Sequence, residues 1–262
     1  MEKKKNEAVE AFRELLDIMD ELREKCPWDQ KQTWESLRTL TIEETYELAD
    51  AVLAGDSEGI REELGDLLLH VVFYAKIGAE KEAFEITDVI RKINRKLIHR
   101  HPHIFGDVKV TNAREVADNW EKIKLEEGEQ KTVLGGIPSS LPALIKAYRV
   151  QDKAGGVGFD WKDPEGVWDK VDEELGEVKE VLLTDGTSEK LEEEFGDLLF
   201  TIVNAARLYH VNPENVLEKA NLKFIRRFNF LEQETLKKGI SLKQLTIEEM
   251  DRYWEQAKKN ES

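Results

Sequence analysis

Apolar residues recur along most of the chain at intervals of three and four positions, which is the repeat of one face of an α-helix. Four such segments cover residues 9–22, 42–53, 64–72 and 216–228. Sustained alternation of apolar and polar residues, the pattern of a half-buried strand, is hard to find. The six prolines lie mostly between the periodic segments. The sequence therefore predicts an all-α protein.

A stretch rich in glycine, proline and serine interrupts this periodicity near the middle of the chain. Residues 128–142 read GEQKTVLGGIPSSLP, a composition typical of a linker. We therefore expect a linker at residues 129–142. It would join an amino-terminal helical domain, residues 1–128, to a carboxy-terminal helical domain, residues 143–262.

The two predicted domains repeat the same short blocks of sequence about 130 positions apart. Glu43-Glu44-Thr-Tyr-Glu47 matches Glu173-Glu174-Leu-Gly-Glu177, and Glu62-Glu63-Leu-Gly-Asp66 matches Glu193-Glu194-Phe-Gly-Asp197. Asn94 and Lys96 match Asn221 and Lys223, and Trp120-Glu121 matches Trp254-Glu255. Because the blocks keep their order and spacing, they indicate an internal duplication of one helical unit rather than a short-period solenoid.

The repeated blocks place acidic residues three positions apart on two successive helices of each copy, so each pair shares a helix face. These acids are Glu44, Glu47, Glu63 and Asp66 in the first copy and Glu174, Glu177, Glu194 and Asp197 in the second. A short connection would pack the two helices antiparallel and let the pairs converge. Two carboxylates about 5 Å apart repel by about 3 kcal/mol at an effective dielectric constant near 20.

Basic partners, raised pKa values or a divalent cation must offset that repulsion. Oxygen ligands without cysteine or paired histidine ligands favour Mg²⁺, Mn²⁺ or Ca²⁺. The alternative is that the acids are the solvated faces of charged helices, but their repetition in both copies favours a site. His70 follows Asp66 by one turn, and its counterpart is Thr201, so we interpret His70 as structural.

Two glycines interrupt the helix pattern beside these acids. Gly65 and Gly196 each stand between the glutamate and the aspartate of one block. Glycine inside a helix costs about 1 kcal/mol relative to alanine. We interpret both glycines as sites where a neighbouring helix or a ligand approaches closely.

The charge balance narrows the possible functions. The chain has 39 basic and 55 acidic residues and a formal net charge of −16, which argues against a non-specific nucleic-acid-binding protein. A single cysteine, Cys26, excludes an internal disulfide framework and a cysteine-based zinc site. No signal-peptide pattern and no apolar run of about 20 residues is present. We expect a cytoplasmic protein without nucleic-acid or membrane partners.

With four further stretches, the carboxylate blocks resemble the MazG family of nucleoside triphosphate pyrophosphohydrolases over nearly the whole chain. These stretches are Cys26-Pro-Trp-Asp29 with Gln32-Thr33, Arg100-His-Pro-His-Ile-Phe105, Val157-Gly-Phe-Asp-Trp161 and Lys223-Phe-Ile-Arg-Arg-Phe228. The resemblance implies tandem helical units whose bundle-like active sites are completed by formation of a homodimer. It also implies Mg²⁺-dependent hydrolysis of NTPs and dNTPs to NMP and pyrophosphate, with Mn²⁺ as a second possible cofactor. The implied cellular role is the removal of aberrant or surplus nucleotides.

The resemblance also implies roles for individual residues. Glu174, Glu177, Glu194 and Asp197 would hold the metal and carry catalysis, with a second site at Glu44, Glu47, Glu63 and Asp66 together with Lys96. The substrate-binding residues would be Lys170, Lys190, Glu193, Asp197, Lys223, Arg226, Arg227 and Trp254. Two roles stay open: Lys170 and Lys190 either touch phosphates or pair with nearby glutamates, and Trp254 either stacks on a base or packs in a core or dimer interface.

The two copies differ in their basic residues. The first has His99-Arg100 where the second has Arg226-Arg227, and histidine is largely neutral near neutral pH. We therefore expect the second copy to be the main catalytic unit. Two other functions remain: an acidic helical adaptor that binds a basic partner, and a hydrolase specific for dUTP or dCTP. The adaptor explains the net charge but not the matched acids, glycines and basic residues.

Overall fold

The computed structural model describes residues 2–112, 115–116, 119–120, 123, 132–184 and 186–260. All regular secondary structure in these residues is helical, which confirms the predicted all-α class. The chain forms two compact units, Met1–Trp120 and Glu121–Ser262. The predicted boundary at residue 128 and the first residues of the predicted linker lie outside the described residues, so the exact domain limits stay a prediction.

Five α-helices of the first unit have their bounds within the described residues, four of them long and one short. They are α1 (Glu2–Lys25), α2 (Trp34–Ala54), α3 (Ser57–Glu80), α4 (Ile86–Arg100) and α5 (Pro102–Phe105). Helix α3 packs along α2 and also contacts α1 and α4. The buried core lies mainly between α1, α2 and α3 and contains Met19, Leu37, Val72, Phe73 and Ile77.

Two residues join α2 to α3 and reverse the direction of the chain. Gly55 ends α2 in the left-handed conformation, with φ of 67°, which glycine adopts without a steric penalty. Asp56 then begins α3 by accepting a hydrogen bond from the backbone N–H of Glu58 at 3.1 Å. This connection makes α2 and α3 an antiparallel pair, the arrangement that the acidic blocks require.

The second unit repeats this plan. Its helices are α6 (Ala143–Gly156), α7 (Gly166–Leu183), α8 (Ser188–Leu208), α9 (Pro213–Lys237) and α10 (Ile247–Asn260). Helices α7 and α8 pack along each other, α6 lies against α8 and α9, and α10 packs on α9. Buried apolar residues include Val167, Val178, Val203 and Leu231. The pair α7–α8 therefore corresponds to the pair α2–α3 of the first unit.

None of the described helices combines the length and the apolar character that crossing a bilayer requires.

Candidate metal centres

The first acid cluster lies where α2 and α3 face each other. Glu44 of α2 and Glu63 and Asp66 of α3 bring one ligand oxygen each within 4.8 Å of one another. Burial raises the pKa of Glu44, and the charges of Asp66 and Glu47 raise it further. Burial likewise raises the pKa of Glu63, followed by the charges of Glu47 and Asp66. The cluster thus concentrates negative charge where solvation is incomplete.

The second acid cluster occupies the equivalent place between α7 and α8. Glu174 of α7 and Glu194 and Asp197 of α8 bring one ligand oxygen each within 4.8 Å of one another. Glu174 is only 5% exposed. One of its oxygens, Oε1, lies 2.7 Å from the ammonium group of Lys170. Each copy therefore brings together three acids from corresponding positions of the corresponding helix pair.

The remaining two predicted acids, Glu47 and Glu177, lie at the edges of the clusters. Both side chains are exposed, and neither belongs to the groups that converge within 4.8 Å. Burial and the charges of Glu174 and Glu194 nevertheless raise the pKa of Glu177. The structure thus brings three of the four predicted acids together in each copy, and the assignment of Glu47 and Glu177 as ligands stays a prediction.

Each cluster contains a buried carboxylate oxygen without a hydrogen-bond partner among the described residues. These atoms are Oε2 of Glu63 and Oε2 of Glu174. An unpaired buried acceptor is costly, and an ionised one more so. A hard divalent cation prefers oxygen ligands of this kind. The donor sets therefore fit a cation such as Mg²⁺ or Mn²⁺.

The cationic residues predicted to bind phosphate lie at different distances from the acids. Lys170 forms ion pairs with both Glu174 and Glu173, and these two hydrogen bonds raise its pKa well above the ordinary value. In this structure Lys170 thus has the glutamate-pairing role. Lys190 lies in the first turn of α8 and is exposed. Glu193, further along the same helix, is also exposed. The phosphate contacts of these residues stay predictions.

Helices α9 and α10 carry the remaining predicted nucleotide ligands of the second copy. Lys223 and Arg226 are exposed, and the guanidinium of Arg227 lies 5.8 Å from the centre of the Trp254 ring. Trp254 also packs on Phe224, with ring centroids 5.1 Å apart. In this structure Trp254 has the packing role, between α9 and α10. Lys96 of the first copy is exposed on α4, as Lys223 is on α9.

Gly65 and Gly196 lie in open space. A Cβ atom added to either glycine would meet no atom of the described chain within 4 Å. The expectation of a closely packed neighbouring helix is therefore wrong within one chain. The other interpretation, a ligand beside the carboxylates, is compatible with this open space, and so is a second copy of the chain.

Sequence reasoning missed a buried polar contact beneath the first cluster. His70 is 7% exposed, and its Nδ1 lies 2.7 Å from Oγ1 of Thr41 across the α2–α3 interface. This burial agrees with the structural interpretation of His70. Spacing indicates only that Thr41, three positions before Glu44, shares its helix face, and it does not indicate the contact with His70.

The fold and the clusters together define an all-α protein built twice from one helical unit, with a carboxylate cluster between an antiparallel helix pair in each copy. The model of the MazG nucleotide pyrophosphohydrolase domain matches residues 32–105 and 163–230, which contain both helix pairs. Together with the full-length relatives that follow, this match shows that the chain belongs to the MazG family.

Named relatives match nearly the whole chain. The nucleoside triphosphate pyrophosphohydrolase/pyrophosphatase MazG of Thermotoga maritima is 50% identical over 256 residues, 96% of this chain and 97% of the relative. The nucleoside triphosphate pyrophosphohydrolase of Escherichia coli K12 is 44% identical over 254 residues, 94% of this chain and 97% of the relative. A crystal structure of a mazG-related protein from Thermotoga maritima aligns with 43% of this chain and 98% of its own, at 29% identity and a TM-score of 0.39.

Proposed function

We propose that this protein is a Mg²⁺-dependent nucleoside triphosphate pyrophosphohydrolase that cleaves NTPs and dNTPs between the α- and β-phosphates. The products are NMP and pyrophosphate. One observation carries the proposal: each copy of this MazG-family chain assembles three acids within 4.8 Å, one of them with a buried oxygen that has no hydrogen-bond partner among the described residues. The names of the full-length relatives support the same reaction class.

The acids provide the charge and geometry for the metal. Glu174, Glu194 and Asp197 would hold it, with Glu177 at the edge of the site, and Glu44, Glu63 and Asp66 would do so in the first copy. When bound, Mg²⁺ neutralises phosphate oxygens and lowers the pKa of a coordinated water. The antiparallel helix pair holds the three carboxylates in place before substrate arrives, so little rearrangement is needed on binding.

Basic residues would bind the phosphates that the metal leaves uncompensated. Lys223 and Arg226 are three positions apart on α9, so they share one exposed face that suits a polyphosphate. Lys170 holds Oε1 of Glu174 through its ion pair and thereby orients the carboxylate. The protein as a whole is acidic, with a net charge of −16, so these local cations and the metal must supply the attraction for a polyanionic substrate.

The second copy is proposed as the main catalytic unit. Two adjacent arginines, Arg226 and Arg227, stand where the first copy has His99 and Arg100. The second cluster also contains Glu174, a deeply buried carboxylate, beside the half-buried Glu194 and the exposed Asp197, whereas all three acids of the first cluster are half-buried. A buried carboxylate such as Glu174 interacts more strongly with a bound cation than an exposed one does.

An exposed apolar stripe supports the proposed homodimer. Leu64, Leu68 and Val71 on α3 and Phe195, Leu199 and Ile202 on α8 are each between 43% and 59% exposed. Within each helix the three positions follow at steps of four and three, so they form one continuous face. The stripe occurs in the same register in both copies and runs beside the acids. A second copy of the chain that covers these faces would remove the stripe from water and enclose the metal sites.

The test is pyrophosphate release by charge-neutralised variants. The second cluster is changed by Glu174→Gln with Asp197→Asn, and the first by Glu44→Gln with Asp66→Asn. We expect the second-cluster variant to lose most of the Mg²⁺-dependent activity, and the combination of both to lose all of it. Glu192→Gln, an exposed acid on α8 outside the cluster, serves as the matched control and should keep full activity. Full activity in the combined variant would refute the site.

A further inference from the structure

The hydroxyl of Thr41 lies at the centre of a small hydrogen-bond network between α2 and α3. Its Oγ1 is 2.9 Å from the backbone oxygen of Leu37, 2.7 Å from Nδ1 of His70 and 2.9 Å from the hydroxyl of Tyr74. Leu37 and Thr41 belong to α2, whereas His70 and Tyr74 belong to α3. The network therefore joins the two helices that carry the first acid cluster.

Counting hydrogens assigns the donors in this network. A threonine hydroxyl has one hydrogen and two lone pairs. The carbonyl of Leu37 can only accept, so Thr41 donates its hydrogen there. His70 Nδ1 and the Tyr74 hydroxyl must then both donate to Thr41. Burial lowers the pKa of His70 despite the opposing charge of Asp66, which favours the neutral imidazole at neutral pH.

The network lies one helical turn from the acids. Thr41 precedes Glu44 by three positions on α2, and His70 follows Asp66 by four positions on α3. Side chains three and four positions apart share a helix face. Sliding or rotating either helix would therefore break the hydrogen bonds to Thr41 and at the same time move Glu44 relative to Asp66.

The second unit lacks this network at the corresponding positions. Val171, Thr201 and Ala205 stand where the first unit has Thr41, His70 and Tyr74. Thr201 is 7% exposed and Ala205 is 3% exposed, so these two positions of α8 are buried and hold small side chains. The hydrogen-bond network is thus a property of the first copy and does not follow from the shared fold.

We propose that Thr41, His70 and Tyr74 are positioning residues that set the spacing of Glu44, Glu63 and Asp66 and thereby the metal affinity of the first site. The proposal rests on the proposed function of that cluster as a metal site. The group that converges within 4.8 Å contains no histidine, so His70 acts through the helices and not as a ligand. Groups that orient ligands from outside commonly change metal affinity by about 10- to 100-fold.

The experiment measures Mn²⁺ binding at the first cluster alone. In a background of Glu174→Gln, Glu194→Gln and Asp197→Asn, free Mn²⁺ is followed by electron paramagnetic resonance during titration with the metal. We expect His70→Thr and Thr41→Val, which introduce the residues of the second copy, to raise the Mn²⁺ Kd about tenfold. His70→Asn keeps a donor near the position of Nδ1 and should restore the Kd to within about twofold of the background.

A second background, in which the first cluster is neutralised and the second is intact, distinguishes positioning of the first cluster from a general loss of stability. With Glu44→Gln, Glu63→Gln and Asp66→Asn in place, His70→Thr should leave Mn²⁺ binding at the second cluster unchanged. If His70→Thr does not fold, Tyr74→Phe removes one donor while keeping the ring. A lowered Tm with an unchanged Mn²⁺ Kd at the first cluster would show a packing role only and overturn the proposal.

Different results would overturn the positioning role of Thr41, His70 and Tyr74 and the proposed pyrophosphohydrolase function. Absence of Mn²⁺ binding in the first background, while the intact chain still hydrolyses NTPs with metal, would overturn the positioning role and leave the proposed function standing. Absence of metal-dependent hydrolysis by the intact chain would overturn the proposed function itself.

Discussion

Lys170 Nζ lies 2.7 Å from Oε1 of Glu174, while Oε2 of the same carboxylate is buried without a hydrogen-bond partner in the described part of the chain. One oxygen is thus neutralised by a cation of the protein itself, one turn away on α7. The other is available to a cation from solution. In the proposed metal site, this division would leave one oxygen paired in the metal-free protein and the other oxygen for the ion.

Removing the ammonium group should therefore destabilise the metal-free protein. We expect Lys170→Met to lower the free energy of unfolding in EDTA by about 1 kcal/mol, a modest value because the lysine is 37% exposed. Saturating Mg²⁺ should recover much of the loss, since it compensates Glu174 directly. Lys179→Met, an exposed lysine on the same helix, is the control. Equal effects of both variants would contradict a specific role for the pair.

Neutralising Glu44 should have opposite effects on the metal-free and metal-bound protein. Glu44→Gln removes repulsion with Asp66 and Glu47, the charges that help to raise the pKa of Glu44. We expect a higher Tm in EDTA and a smaller rise of Tm on addition of Mg²⁺. Calorimetry under both conditions measures the two effects. A lower Tm in EDTA would mean that Glu44 stabilises the metal-free fold, which is the opposite of a repulsive cluster awaiting a cation.

The raised pKa values predict how stability changes with pH in the absence of metal. Glu44, Glu63 and Glu177 all have pKa values above their ordinary value of 4.5, so the folded protein binds these protons more tightly than the unfolded chain. Their contribution to stability therefore grows as pH falls from neutral through the raised pKa values, and it levels off below about 4.5.

Added Mg²⁺ should counteract this pH dependence of stability, because it competes with protons for the same carboxylates. The rise in Tm produced by Mg²⁺ should be largest at neutral pH and should shrink as these acids protonate. Thermal unfolding with and without Mg²⁺ across this pH range gives the difference directly. A metal effect independent of pH would place the bound ion away from these acids.

The helices and the duplication could be predicted from the sequence because both produce repeats in it, the helices at intervals of three and four positions and the duplication at about 130 positions. Apolar spacing of three and four positions marked α1 and α3, and the matched acidic blocks marked the α2–α3 and α7–α8 pairs. Spacing alone does not specify which side chains reach across to a neighbouring helix. Glu44 and Glu47 share a face, yet Glu44 and not Glu47 belongs to the group whose ligand oxygens lie within 4.8 Å of one another.

Contacts between helices were the part that spacing could not supply. The hydrogen bond between Thr41 and His70 depends on the axial register of α2 and α3, which neither segment encodes by itself. The expectation that a neighbouring helix of the same chain packs closely on Gly65 was wrong among the described residues for a related reason. A glycine inside a helix indicates that space beside it is needed, but it does not indicate whether a helix, a ligand or a second copy of the chain occupies that space.

Two glycines of α3 provide a test of the packing. A Cβ at Gly78 would lie 2.9 Å from both the ring and the backbone oxygen of Phe84, whereas a Cβ at Gly65 would meet nothing within 4 Å. We expect Gly78→Ala to destabilise by about 1–3 kcal/mol. Gly65→Ala should be neutral or stabilise by up to about 1 kcal/mol through helix propensity.

Denaturant unfolding of both variants gives these values, and NTP hydrolysis adds a second readout. If Gly65→Ala lowers activity without lowering stability, the open space beside the acids is used by substrate or by a second copy. A loss of stability as large as that of Gly78→Ala would contradict the open placement of Gly65.

The proposed reaction is tested most directly by the position of the bond that is cleaved. Purified protein is incubated with Mg²⁺ and with ATP labelled at the α-phosphate or, separately, at the γ-phosphate, and the products are resolved by ion-exchange chromatography. We expect α-label to appear only in AMP and γ-label only in pyrophosphate, with no turnover in EDTA. ADP together with labelled inorganic phosphate, or turnover that persists in EDTA, would contradict the proposed reaction.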